Sequence, residues 1–286
     1  MLNTAIEIRC NGRRFAQVDA RDRGLQYGDG LFETMRVRAH RIALLEAHLR
    51  RLRDGCRRLR LPMPAEQLLR REIAAAARRW PEAVLKLVLT RGTGARGYRT
   101  PLHPRPLRLL LCAPCGVDVT PAPVSVRLCR TPLSQNPHFA GLKTLNRQDS
   151  VAARSEWRDP RIAEGLMRDS AGHIVCGTMT NVFAVRRGRV STPLLDRGGV
   201  SGVMRGWVLE QGRRDGLRIT EGRLRMRDLE QADEIFLTNA VIGIWSVGGV
   251  RVPAGWIRPT RTDLAERLRA EFRRFLAASP ARRPRA

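Results

Sequence analysis

The apolar positions of this chain change period along its length, and the changes mark its elements. Residues 5–8 and 15–18 read as strands flanking Asn11-Gly12, a strong short-range hairpin signal. Leu45, His48, Leu52, Cys56 and Leu59 then recur at helical spacing, and residues 65–80 form a second amphipathic helical stretch. Strand-like runs follow over 84–90 and 107–112, and a proline-bearing passage over 113–123 ends them. Beyond it come a strand over 124–129, a turn-rich segment leading to residue 143, a helix over 147–158, and strands over 164–168 and 181–185. The turn Gly198-Gly199-Val200-Ser201-Gly202 runs directly into a helix over 203–210, a strand over 233–240 ends in polar residues, and a last helix covers 263–277. This order predicts an α/β (α+β) chain of two domains. The smaller takes residues 1–115, a linker 116–123, the larger 124–278, and a basic tail 279–286.

At 286 residues the chain can bury one large or two modest cores. No apolar run approaches membrane-spanning length and the first residues do not read as a signal peptide, so a cytoplasmic protein without a membrane partner is expected. Six scattered cysteines show no disulfide-scaffold pattern, and Cys112-Ala113-Pro114-Cys115 has no second pair, which favours structural cysteines over a metal site. The net charge of +26 raises the question of nucleic acid. The arginines are spread along the whole chain, aromatic residues make up 5%, and no recognition motif is present, so a solvated arginine-rich surface is expected and no specific nucleic-acid partner.

Among 53 basic residues only Lys86 and Lys143 are lysine. An arginine stays protonated, whereas an amine can lose its proton and attack a carbonyl, so a lysine kept in such a background marks candidate chemistry. Alternation places Lys86 beside Val84 and Val88 on one face of a strand, where a snorkelling or paired role is expected. Lys143 follows Asn136-Pro137-His138-Phe139-Ala140-Gly141-Leu142, a setting that suits a reactive side chain. The glycine-bearing turn at 198–202, opening onto a helix, could hold an anion, although many such turns only close loops.

Five motifs share an order and spacing. Tyr27-Gly28-Asp29-Gly30-Leu31-Phe32-Glu33-Thr34, His48-Leu49-Arg50-Arg51-Leu52, Leu142-Lys143-Thr144-Leu145-Asn146-Arg147, Gly202-Val203-Met204-Arg205 and Leu237-Thr238-Asn239-Ala240 together resemble the fold-type IV pyridoxal-phosphate enzymes. The resemblance implies a D-amino-acid-aminotransferase-like fold with pyridoxal 5'-phosphate in the interdomain cleft, and a homodimer acting on a small molecule. It makes Lys143 the cofactor-carrying and proton-moving residue. It makes Arg51 a phosphate ligand, with the backbone amides of Val203 and Met204 and, further along, Asn239. Residues 90–98 and 136–143 look most like the lyase branch, whose members split 4-amino-4-deoxychorismate into 4-aminobenzoate and pyruvate on the way to folate. Arg96 matches a position that holds a substrate carboxylate in related transaminases, and a solvated loop arginine is the alternative. Arg147 is the next candidate for that carboxylate.

The chain departs from the pattern at Cys176, in Ile174-Val175-Cys176-Gly177-Thr178-Met179-Thr180-Asn181, where the family places a glutamate against the pyridine nitrogen. A thiol supports a pyridinium poorly, so the departure either weakens the electron sink or removes activity. An elimination tolerates a weaker sink better than a transamination, which favours the lyase. Phe32 stands where D-amino-acid transaminases place a tyrosine, which also argues against their mode of substrate recognition. The alternatives are a D-amino-acid or branched-chain aminotransferase of the same fold, and a basic binding protein without cofactor.

Overall fold

The computed structural model describes residues 6–14, 17–116 and 123–278. The described chain divides into two compact units. The first is built from β1 (Glu7–Cys10), β2 (Arg13–Arg14), α1 (Arg23–Tyr27), β3 (Gly30–Arg38), β4 (Arg41–Ile42), α2 (Leu45–Leu59), α3 (Glu66–Ala77), β5 (Glu82–Thr90) and β6 (Leu107–Pro114). Its strands form one antiparallel sheet in the order β2-β1-β6-β5-β3-β4. The β1–β2 hairpin turns through Asn11 (φ 47°) and Gly12 (φ 82°), two consecutive left-handed residues of the kind an Asn-Gly pair supplies. Its second strand is Arg13–Arg14 rather than 15–18, where residues 15 and 16 lie outside the described residues. The core follows the two sequence periods. Leu31, Met35 and Val37 of β3 with Leu85, Leu87 and Leu89 of β5 supply the sheet side, and Leu49, Leu52 and Cys56 of α2 with Leu69 and Ile73 of α3 supply the helix side.

The second unit contains β7 (Val124–Leu128), α4 (Gln148–Arg154), β8 (Ile162–Arg168), β9 (Ile174–Gly177), β10 (Asn181–Arg186), β11 (Arg189–Pro193), α5 (Val203–Arg214), β12 (Arg218–Gly222), α6 (Met226–Glu230), β13 (Glu234–Asn239), β14 (Gly243–Val252), β15 (Gly255–Ile257) and α7 (Asp263–Ala278). Its sheet runs β12-β11-β10-β13-β14-β7-β8-β9, with β15 beside β14. The pairs β11–β12, β14–β7 and β7–β8 are parallel and the rest antiparallel. Phe183 and Phe236 stack at 4.7 Å between centroids at the β10–β13 pair. The expected helix over 147–158 is realised only as Gln148–Arg154.

The units are not divided by a single cut at 116–123. The first takes the described residues up to 116 together with Asn136–Gln148 and Asp196–Val203, so the chain returns to it twice. The reason is backbone pairing. The Phe32 N–H donates to the Lys143 carbonyl at 2.9 Å and the Leu145 N–H to the Gly30 carbonyl at 3.0 Å, so the lysine segment bridges to β3 through Leu31 and Thr144. Residues 117–122 of the expected linker and the tail over 279–286 lie outside the described residues. No described helix is long and apolar enough to cross a membrane.

Candidate active site

In the first unit, the loop before Lys143 is fixed from both sides. Gly141 adopts φ +80°, which glycine reaches without steric cost, and its N–H and C=O bond to the Gly199 carbonyl and the Ser201 N–H, each at 3.0 Å. A Cβ on Gly141 would stand 2.8 Å from Ser201 Oγ, so that hydroxyl would have to turn away to admit it. From α2, Arg58 donates to the carbonyls of Ala140 and His138, both at 2.9 Å. The Lys143 ammonium then lies 4.1 Å from the centroid of the Phe32 ring. Withdrawal from water, with the positive charges of Arg51, Arg147 and Lys86 outweighing the Glu33 carboxylate, brings its pKa down to about 7. A large fraction of this amine is therefore unprotonated near neutrality, the state a nucleophile or base requires. Lys86 is exposed on β5, and its ammonium lies 5.0 Å from the same Phe32 ring. Of the snorkelling and paired roles expected for it, this contact is the paired one, and both lysines of the chain face one phenyl group.

The other charged centre of this unit is Glu33. It sits on the β3 face that carries Leu31, Met35 and Val37, and it is 2% exposed. Two side chains one helical turn apart on α2 meet it. Arg51 binds it side-on, Nε to Oε1 at 2.8 Å and Nη2 to Oε2 at 2.5 Å, and His48 Nδ1 donates to Oε2 at 2.6 Å. Burial works to raise the Glu33 pKa, but the Arg51 charge and the hydrogen bonds from Arg51 and His48 prevail and hold it at about 2. Burial pushes the His48 pKa down, so the ring is neutral and its Nδ1 carries the proton given to Glu33. Arg51 also donates Nη1 to the Ser201 carbonyl at 2.9 Å, which ties α2 to the 198–202 turn. Five guanidinium N–H groups less these three leave two for a ligand. Glu33 and His48 were not singled out by the motifs, although a carboxylate on the apolar face of a strand was a visible signal.

The turn delivers Val203 and Met204 as the first residues of the twelve-residue helix α5, whose opening amides have no intrahelical acceptor. An aldehyde that also carries a phosphate fits this donor set: a neutral amine, a half-committed guanidinium and helix-terminal amides. In the second unit Cys176 is a buried thiol on β9, opposite Met167 of β8. Asn239 ends β13, where its Oδ1 accepts from the amides of Val241 and Ile242, both at 2.8 Å, and its Nδ2 donates to the Met179 carbonyl at 3.2 Å. The Asn239 side chain is therefore spent largely on shaping the strand end. Beneath the 177–180 turn, the buried Glu164 carboxylate accepts from the amides of Thr178 and Met179 and the hydroxyls of Thr178 and Thr180. Arg96 lies on the exposed loop after β5, in the first unit, where with Arg21, Gln26 and Tyr27 it lines a cavity of about 600 Å³. Among the described residues it makes no hydrogen bond or ion pair with Lys143, Arg51 or the 198–202 turn.

Residues 30–250 match the family described as amino-transferase class IV. The chain belongs to that family. Among solved structures, 4-amino-4-deoxychorismate lyase from Pseudomonas aeruginosa superposes with a TM-score of 0.85 at 40% identity, over 94% of this chain and 99% of that one. Aminodeoxychorismate lyase of Vibrio harveyi is 28% identical over 92% of this chain and 98% of its own length. A PLP-bound hypothetical aminotransferase from Mycobacterium tuberculosis shares the fold, with a TM-score of 0.78 at 23% identity over 96% of this chain and 99% of that one. This class IV aminotransferase chain therefore has the fold-type IV architecture that its five motifs resemble.

Proposed function

We propose that this chain is a pyridoxal-phosphate-dependent lyase that converts 4-amino-4-deoxychorismate into 4-aminobenzoate and pyruvate. The observation that carries the reading is the Lys143 amine, lowered to about 7 beside Phe32 and Arg51, in a chain 40% identical to the Pseudomonas aeruginosa lyase. Lys143 would carry the cofactor, two N–H groups of Arg51 and the amides of Val203 and Met204 would hold its phosphate, and Asn239 would add a contact at the β13 end. When bound, the cofactor supplies an electron sink for the pair left on the amine-bearing carbon. Freed by the incoming substrate amine, Lys143 takes the proton from that ring carbon. It then returns a proton to the terminal carbon of the departing enolpyruvyl group, which leaves as pyruvate while the ring becomes aromatic. Arg96 meets a substrate carboxylate. Cys176, in the position the family gives to a glutamate, would offer the cofactor's ring no carboxylate charge, which suits an elimination with a built-in leaving group. The resemblance further supports a cytoplasmic homodimer.

The test is direct. Purified protein loaded with pyridoxal 5'-phosphate should release 4-aminobenzoate and pyruvate in equal amounts from aminodeoxychorismate, and should not turn over amino donors with 2-oxoglutarate. Turnover of a D- or branched-chain amino acid in its place would assign the chain to the aminotransferase branch. A colourless protein that fails to take up the cofactor would leave only a basic binding protein.

A further inference from the structure

The loop that carries Arg96 is held by a buried guanidinium belonging to another element. Arg23, the first residue of α1, is 4% exposed. Its Nη1 donates to the carbonyls of Gly97 at 3.1 Å and Arg99 at 3.3 Å, and its Nη2 to the Tyr98 carbonyl at 3.2 Å. Three consecutive carbonyls thus converge on one side chain, whose Nε is anchored on Asp29 at 2.8 Å. The Tyr27 ring lies 5.0 Å beneath the guanidinium, its hydroxyl accepts the Gly97 N–H at 3.3 Å, and Tyr98 meets it edge-on at 5.4 Å. A Cβ on Gly94 would stand 3.0 Å from Arg23 Cδ, so this glycine lets the loop lie against the arginine stem. Tyr98 itself is 84% exposed, so apolar burial does not hold the loop.

We propose that Arg23 is a positioning residue that fixes the 93–99 loop so that Arg96 can receive a dicarboxylate substrate. The inference rests on the reading of Arg96 as a carboxylate-binding group. Side chain–to–carbonyl bonds of this kind set a backbone path, and the Asp29 carboxylate anchors the guanidinium that makes them. Arg91 also binds Asp29, at 2.8 and 3.0 Å, so removing Arg23 leaves that carboxylate paired.

Hydrogen exchange and binding separate the loop from the reading it serves. In the cofactor-loaded protein, Arg23→Met and Arg23→Lys should both speed amide exchange at Gly94 and Gly97 while β5 and β6 exchange as before, since lysine retains the ion pair but cannot span three carbonyls. Chorismate, which has both carboxylates and no amine, serves as the probe for the cavity. Its affinity should fall about tenfold in either variant, as for loss of one charge-assisted hydrogen bond, and by a similar factor in Arg96→Ala. The double variant should show no further loss, as two residues acting through one contact require. Unchanged loop exchange, chorismate binding indifferent to Arg23, or no chorismate binding by the unmutated protein would each overturn the inference. Failure of aminodeoxychorismate turnover alongside Arg23-dependent chorismate binding would instead overturn the lyase reading and leave this one standing.

Discussion

At the scale of single residues, a buried anion and a lowered amine set the chemistry. Glu33 raises the Lys143 pKa, against Arg51, Arg147 and Lys86. Glu33→Gln keeps the shape and one acceptor oxygen, loses the second acceptor and removes the charge, so the Lys143 midpoint should move below about 7. Competitive acetylation of the apoprotein across pH, read at Lys143 by mass spectrometry, measures it; an unmoved or raised midpoint would remove Glu33 from the electrostatics of the lysine. The same depression has a sign for stability. Between about 7 and the ordinary 10.5 the unfolded chain binds the proton that the folded chain does not, so the penalty is full below 7 and fades as pH rises through that window. Lys143→Met should therefore stabilise the apoprotein at pH 6 more than at pH 10 in thermal melts. The scarcity of lysine makes Lys143 legible in the amino-acid sequence alone, and the motif does the same for Arg51. The His48–Glu33–Arg51 arrangement is not legible there, because a strand's alternation reveals that Glu33 points inward but not which helix turn comes to meet it.

Among elements, α2 matters most. Arg51 and Arg58 lie seven residues apart on it, and they donate respectively to the 198–202 turn and to the loop before Lys143. Those two segments also pair with each other at Gly141, where φ is +80° and a Cβ would meet Ser201 Oγ at 2.8 Å. A compatible glycine-to-alanine change stabilises by up to about 1 kcal/mol, whereas Gly141→Ala, at positive φ, should destabilise by more than that and weaken cofactor uptake with it. Gly172, at φ +82° with open space around it, supplies the control: Gly172→Ala carries the backbone strain alone. Equal losses in the two variants, measured by denaturant unfolding, would show that the contact with Ser201 is unimportant. The helices α2 and α3 and the strands β5 and β6 were readable from periodicity, whereas α1 is too short to show a period and β3 lay within a motif taken up for its chemistry alone. The edge strand β12 was not, because its alternation is largely polar and its residues are mostly exposed, so its identity comes from pairing with β11.

For the whole molecule, the mixed α/β character was legible, but several strands, among them β3 and β14, and the division of the chain were not. Composition marked a linker near 116–123, whereas the path of the backbone sends 136–148 and 196–203 back to the first unit, a long-range pairing that no local pattern encodes. The charge belongs to this scale too. With a net +26 spread along the chain, adhesion to polyanions should be electrostatic, so retention on heparin should collapse between about 50 and 200 mM salt while turnover per enzyme stays the same. Salt-resistant retention would point to a specific polyanion site.

The ring of Phe32, with an ammonium 4.1 Å from its centroid and another at 5.0 Å, has a practical meaning for anyone handling this protein. Most globular chains offer amine-reactive dyes, resins and cross-linkers a wide choice of harmless side chains. Here the only two side-chain amines crowd one aromatic group, and the one with the lowered pKa is the more nucleophilic near neutrality. Conventional immobilisation or fluorescent tagging through lysine would therefore strike the residue we propose as the cofactor carrier early. The same chemistry, applied in limiting amounts, becomes a titration of intact sites.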